Sequence, residues 1–174
     1  MTAVIDGTSG ITFPDATTQA RGGLRQLAQI QSVTTSTVTT GTTAIPFDNT
    51  IPQITEGDQY MSQAITPTNI NSTLEIDVVI NLSNSNAAQN ISAALFQDAT
   101  ANALKAATTN QNAATGQVTL AFKHTMTAGT ISSTTFRVRG GAGTGATTTF
   151  NGQAGGQIFG GVMASSITIK EYLP

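Results

Sequence analysis

The stretch "STLEIDVVINLS", residues 72–83, places Leu74, Ile76, Val78 and Ile80 at one parity and Glu75, Asp77 and Val79 at the other. A period of two is the geometry of a strand, whose successive side chains point to opposite faces. One face here is apolar and the other largely polar. The pattern recurs along the chain. "GQVTLAFKHTMT" sets Val118, Leu120, Phe122, His124 and Met126 against Thr119, Ala121, Lys123, Thr125 and Thr127. "STTFRVRG" sets Phe136 and Val138 against Arg137 and Arg139, and "SSITIKEYLP" sets Ile167 and Ile169 against Thr168 and Lys170. With the β-branched stretches "QIQSVTTSTVTT", "QYMSQAITP", "NISAALFQD" and "TTTFNG", about eight strands separated by turn residues are expected, the spacing of an all-β sandwich or barrel. We expect a two-sheet core.

Composition bounds what such a sandwich does. Charged residues make up 9% of the chain and the net charge is −2, against roughly 25% charged residues in ordinary soluble domains. Bulk electrostatic attraction to nucleic acid or to an anionic membrane is therefore excluded. Thr, Ser, Asn and Gln carry the polar surface instead, which suits an exterior particle or cell-surface component better than a cytosolic enzyme. Cysteine is absent, so disulfides and cysteine-ligated metals are excluded. No stretch reaches the length of an apolar membrane span. The start, "MTAVIDGTSG", lacks the basic and apolar regions of a secretory signal, and release by lysis or inside an assembled particle is expected. Aromatics are 5% of the chain, thin for a core of this size. Association of subunits would cover half-buried outward residues such as Val79 and protect sheet edges.

Residues 1–28 read as an N-terminal arm and 29–174 as the β-sandwich domain. "DGTSGITFPDATTQARGG" has no periodic apolar face and is too polar to form a core alone. After it, "LRQLAQIQSV" places Leu24, Leu27, Ala28 and Gln31 on one helical face, leaving room for a turn or two of helix or for a linker running into the first strand. A helix that short is marginal in water. "DATANALKAATTNQNAA" is alanine-rich and has the propensity for a short helix, opposed by its Asn and Thr content.

Little in the chain reads as reaction chemistry. His124, the one histidine, falls on the apolar parity of its strand and reads as a buried or interfacial structural residue. "DNTIPQITEGD" carries Asp48, Glu56 and Asp58, loop carboxylates of the type that bind calcium but equally those of a solvated loop. "GGAGTGA", residues 140–146, lacks the spacing and the following helix of a phosphate-binding loop and reads as a hairpin or loop. Arg137 and Arg139 share a face and are placed for an acidic partner, solvent or a neighbouring carboxylate. No nucleophile–base arrangement or carboxylate pair can be placed by spacing. A non-enzyme without cofactor or metal is expected.

"DGTSGITFPDATTQ" resembles a segment that recurs in bacteriophage tail-fibre and other virion proteins. From about Gln29 to Tyr172, the chain is similar to a β-sandwich domain of phage virion proteins. That similarity rests on "QAITPTNINSTLEIDVVINLS", on "SSTTFRVRGGAGTGATTTFNG" read as its penultimate hairpin, and on the closing "SSITIKEY"; the middle, "DATANALKAATTNQNAATG", departs from the pattern. The resemblance implies a jelly-roll-like sandwich of the tumour-necrosis-factor type and a homotrimer located in the virion. It would be assembled in the host cytoplasm and released by lysis. It also implies an attachment role for the arm residues Ile11, Phe13, Pro14 and Asp15. Burial of Ile11 and Phe13 would supply roughly 1.5–3 kcal/mol each, multiplied by avidity across subunits. Its partners would be sister subunits, other tail or capsid proteins, and host-surface glycan met by loops containing Asp48, Glu56, Asp58, Gly143, Thr144 and Gly145. Nucleic acid and membrane insertion are not expected. Two roles fit: a small fibre or tail-associated protein, or a capsid decoration or head-fibre protein that binds the shell. A depolymerising tailspike lacks its acidic constellation here.

Overall fold

A computed structural model describes residues 26–174 and, before them, the backbone of three short strands. These are β1 (Val4–Asp6), β2 (Gly10–Thr12) and β3 (Thr18–Gln19), which pair in that order as a small antiparallel sheet. The strands that follow are β4 (Leu27–Thr35), β5 (Thr39–Gly41), β6 (Asp58–Ile65), β7 (Thr73–Asn84), β8 (Gln89–Gln97) and β9 (Lys105–Gln111). Then come β10 (Val118–Thr127), β11 (Thr134–Ala142), β12 (Thr148–Phe150), β13 (Gly152–Gln153), β14 (Gly156–Gln157) and β15 (Ser165–Tyr172).

Two antiparallel sheets face each other. In the first, β7 is flanked by β10 from Thr73 to Leu82. On its other side it pairs with β15 as far as Val79 and with β12 from Leu82. β4 flanks β15 and β5 flanks β12, so each pair of short strands forms one interrupted row. The second sheet has the order β6-β11-β8-β9. The chain passes back and forth between sheets, giving four rows facing four, the jelly-roll arrangement that sequence alternation and resemblance lead one to expect.

The inward parities are those read from the sequence. Leu74, Ile76, Val78 and Ile80 are buried opposite Phe136 and Val138, with Ile167 and Ile169 beside them. Phe150 stacks on Tyr60 at 4.9 Å between ring centroids and 8° between planes; burial pushes the Tyr60 hydroxyl pKa up, with Asp58 adding to it.

At three places where the sequence leaves alternatives open, the structure decides against helix or hairpin. From Leu27 the backbone is strand, because pairing along β15 supplies a continuous ladder of hydrogen bonds and a lone helical turn would supply few. Leu24 lies outside the described residues. The alanine-rich stretch yields strand β9 rather than helix, paired with β8 from Leu95↔Lys105 to Gln89↔Gln111; tertiary pairing overrides a weak propensity. The "GGAGTGA" stretch is no hairpin. Its first residues complete β11 in one sheet and the remainder crosses to β12 in the other.

Candidate functional site

The two ends of the sandwich differ. At one end the described chain begins and finishes: Leu27 lies opposite Tyr172, and Leu173 N–H donates to the Gln26 carbonyl at 2.9 Å. The loops 66–72 and 128–133 close this arm end, tied by Ala128 N–H to Ser72 O and Gly129 N–H to Ile70 O. Leu27, Ile70 and Ile131 are exposed there. At the far end, loops 85–88, 112–117 and 143–147 lean on one another. Ser85 N–H reaches Thr147 O, Thr115 N–H reaches Asn84 O, and Gly143 N–H reaches Asn90 O. The buried Gln111 amide knits two of these loops, donating to Asn84, Asn86 and Ala113 carbonyls. None of the three far-end loops contains a charged residue.

Gly143, Thr144 and Gly145 sit at this far end, where Thr144 Oγ1 donates to Gln89 Oε1 at 2.6 Å. Phe47 packs beside Gly143, which brings the adjoining Asp48 to the same region. Asp48 is exposed, and hydrogen bonds from the Thr50 hydroxyl and amide hold its carboxyl below the usual range. Glu56 and Asp58 are engaged by their own loop. Glu56 accepts from Gln53 N–H at 2.9 Å; Asp58 accepts from Thr43 N–H and hydroxyl, filling space that a Cβ at Gly41 would occupy. The three carboxylates thus fasten separate turns, and no group of three His, Cys, Asp or Glu able to hold a metal occurs among the described residues. Of the arm, Phe13, Pro14 and Asp15 lie outside the described residues, and Ile11 falls in β2, where only the backbone is described.

Arg137 and Arg139 do point outward, onto the chain's own loops. Arg139 donates to the Glu56 and Gly57 carbonyls at 2.8 and 2.7 Å, and Arg137 to the Asp98 carbonyl. They help pin segments 42–57 and 98–104 over the outer face of the second sheet, where Ile45, Ala94 and Phe96 form a separate buried cluster. On the lower half of the first sheet no such cover occurs among the described residues. There Lys123 on β10, Glu75 and Asp77 on β7 and Lys170 on β15 form a cross-strand cluster with four N···O distances of 2.9–3.4 Å. Hydrogen bonds from Lys123 and Lys170 lower the Glu75 pKa and raise those of both lysines. The cluster carries no net charge.

Between the interrupted rows the chain leaves the sheet. Asn151, at φ +53°, ends β12, and residues 152–164 loop out over the upper half of this face before Ser165 begins β15. Ser165 seals the gap: its hydroxyl accepts from the Asn81 N–H at 2.9 Å and donates to Asn151 Oδ1 at 2.6 Å. Asn81 Nδ2 holds the returning strand at Ala164 O, and Thr149 Oγ1 accepts from Gly155 N–H. The loop tip exposes Phe159 and Val162. Sequence alternation missed this tip; the apolar pair amid four glycines in "GGQIFGGVM", with no strand parity to bury it, is the signal that marks it.

Two titratable groups sit at inward parities. Burial pushes the Glu171 carboxyl up, but donors turned on it outweigh that and hold it at about 2. These are the Ser72 hydroxyl, Gln29, and the Thr68 amide and hydroxyl. Gln29 Nε2 is 2.7 Å away and the Thr68 donors 2.8 and 2.9 Å. Ser72 Oγ leans toward the carboxylate without strict hydrogen-bond geometry and has no other partner. The arrangement clamps loop 66–72 onto β15 and β4. His124 is half-buried opposite Ile76; burial first, then the Lys105 charge, lowers its pKa. It has no hydrogen-bonded carboxylate or nucleophile among the described residues and reads as structural.

No protein-family model and no curated protein sequence matches the chain. Solved structures of similar fold include one described as "CBM4 structure and function", at TM-score 0.39 and 16% identity over 76% of this chain and 79% of that one. Another is infectious bursal disease virus Gx strain, at TM-score 0.40 and 13% identity over 83% of this chain and 36% of that one. A third is the EclA C-terminal domain, a sugar-binding protein, at TM-score 0.34 and 14% identity over 82% and 86%.

Proposed function

We propose that the protein is a non-enzymatic structural component of a bacteriophage virion: a small fibre or tail-associated homotrimer, fixed by its N-terminal arm, whose far end faces the host surface. The observation that supports this most is the opposition of the two ends. The arm joins the sandwich where Leu27, Ile70 and Ile131 are exposed, an apolar rim suited to a protein partner. The opposite end offers uncharged hydroxyls and amides from Ser85, Asn86, Asn112, Thr144 and Thr147, groups that exchange hydrogen bonds with sugar hydroxyls without desolvating a charge. The arm's resemblance to virion attachment segments points the same way.

Incorporation tests the anchor. A protein lacking residues 1–23 should fold and associate normally but be missing from particles; wild-type incorporation of the truncated chain would remove the anchoring role. Antibody labelling of virions tests position: signal at the tail supports the fibre reading, and signal over the shell replaces it with a decoration protein. Saturable adsorption of the free protein to host cells tests the far end. Release of reducing ends from host polysaccharide would overturn the non-enzymatic reading.

A further inference from the structure

Two exposed apolar features lie on the outer faces of different sheets. The first is the tip of the 152–164 loop, where Phe159 and Val162 are 72% and 81% exposed. Phe159, Gly160 and Gly161 have φ of 52°, 60° and 86°. An aromatic residue in the left-handed region is strained, and such strain persists where the surrounding structure enforces it. Here the fold holds a phenyl ring out in water on a loop without a charged residue.

The second feature is a groove of about 190 Å³ between segment 45–52 and strands β8 and β9. Ile45, Pro46, Phe47, Pro52, Ala106 and Ala107 are among its lining residues. Phe47 is 62% exposed, and neighbouring Ile51 is 55% exposed. The groove has room for one aromatic side chain. Its one charged lining residue, Asp48, is already hydrogen-bonded by Thr50, so an incoming ring meets no bare carboxylate.

We propose that the Phe159–Val162 tip of one copy seats in the Phe47 groove of a second copy, so that the oligomer is held by a heterologous contact. Chemistry and size match: the tip loop carries no charge, the groove's one carboxylate, Asp48, is engaged by Thr50, and placement on different sheets lets each copy use both features at once. Such a contact closes into a ring or continues as a filament according to its rotation. A ring of three leaves no tip or groove unfilled. This inference rests on the homotrimer reading above and gives it an interface.

The test is the solution mass of the full chain by light scattering, with circular dichroism to confirm folding. F159S/V162S and F47S/I51S should each weaken self-association by about 30-fold or more, as loss of an aromatic anchor does. Each should be monomeric at concentrations where the wild type is trimeric. Mixed at equal concentration, the two variants should form a one-to-one heterodimer, because one keeps the groove and the other keeps the tip. A106R blocks the groove from exposed strand β9 without removing buried apolar atoms, and should reproduce the groove phenotype even where F47S/I51S folds poorly. A wild-type trimer unaffected by the tip variant, or one broken by the tip variant but not by A106R, overturns this contact and leaves the trimer standing. A wild-type monomer overturns both. An open filament broken by either variant supports the contact and overturns the closed trimer.

Discussion

The outer faces of the two sheets solve the same problem in opposite ways. On the second sheet, β8 buries both of its faces: Ile91, Ala93 and Leu95 toward the main core, Ala94 and Phe96 under the chain's own loops. The loops are held there by Arg137, Arg139 and backbone hydrogen bonds such as Ile54 N–H to Ala101 O. On the first sheet the outward parity of β7 reads Thr73, Glu75, Asp77, Val79 and Asn81, and among the described residues the 152–164 loop overlies its upper part. A sheet with an apolar second face must supply its own cover; one with Thr and paired charges can remain open to water or to another molecule. Cover on the second sheet is thus a matter of stability, and the first sheet holds its outward face together by paired charges instead.

The largest effect that would break this contrast is loss of the covered cluster. Phe96 is fully buried beneath segment 42–57, and Phe96→Ala should cost about 3–5 kcal/mol. Val79→Thr on the open face of the isolated chain should cost no more than about 0.5 kcal/mol. Denaturant unfolding measures both. Comparable losses at the two positions would mean that the open face is not open.

A second test lies at the arm end. Glu171→Ala leaves the donors of Thr68 and Gln29 without their acceptor and should destabilise by about 3 kcal/mol. The acid dependence carries a sign. A carboxyl whose folded pKa is about 2 stabilises the fold fully above its unfolded value near 4.3, and that contribution fades as pH falls toward 2. His124 adds in the same direction at higher pH: with its folded pKa lowered, stability begins to fall as pH drops below the unfolded value near 6.5. Glu171→Gln should flatten the lower part of the wild-type curve and leave the upper part. An unchanged curve for Glu171→Gln would show that the clamp is not what the low-pH loss reports.

The alternation in β7, β10, β11 and β15 was enough to define the inward faces, because a half-buried strand writes its burial into every second residue. Alternation could not disclose Glu171, which occupies the apolar parity after Ile167 and Ile169; its donors arrive from residues 29, 68 and 72, far away along the chain. Phe96 was equally opaque, since a continuous apolar run such as "ISAALF" does not say what covers its second face. A helical turn continuing past Leu27 and the helix suggested around residue 104 were weak propensities that strand pairing overrode. At the candidate site, the loops around Gly143–Gly145 could be proposed from turn residues, whereas their neighbour Phe47 and the Phe159 tip depend on how distant segments cross.

The interrupted row is a finer point of the same contrast. Ser165→Ala removes the hydroxyl that serves both the Asn81 amide and the Asn151 side chain at the base of the loop. With Ser165 fully buried, two polar groups lose their partner, and a cost of about 1–3 kcal/mol is expected. Ser166→Ala, on the outward parity one residue on, should be close to neutral. Hydrogen exchange would sharpen the result: protection should fall at Asn81 and Asn151 and hold in β8. Equal losses in both sheets would mean that the loop base is not a local seal.

The smallest effect concerns the charge cluster on the open face. Lys170 lies 2.9 Å from Asp77 and 3.2 Å from Glu75 and is 30% exposed, whereas Lys123 is 52% exposed with distances of 3.1 and 3.4 Å. Water and salt screen the outer lysine more, so Lys170→Met should lower the melting temperature more than Lys123→Met, with both shifts within about 3 °C. Adding salt should shrink the difference, because these contacts are only partly shielded from solvent. A shift of similar size at the covered face would require an ion pair there; among the described residues its arginines donate instead to backbone carbonyls, whose hold depends less on ionic strength than that of a paired carboxylate. A salt response equal in Arg139→Met and Lys170→Met would therefore contradict the division of labour between the two faces.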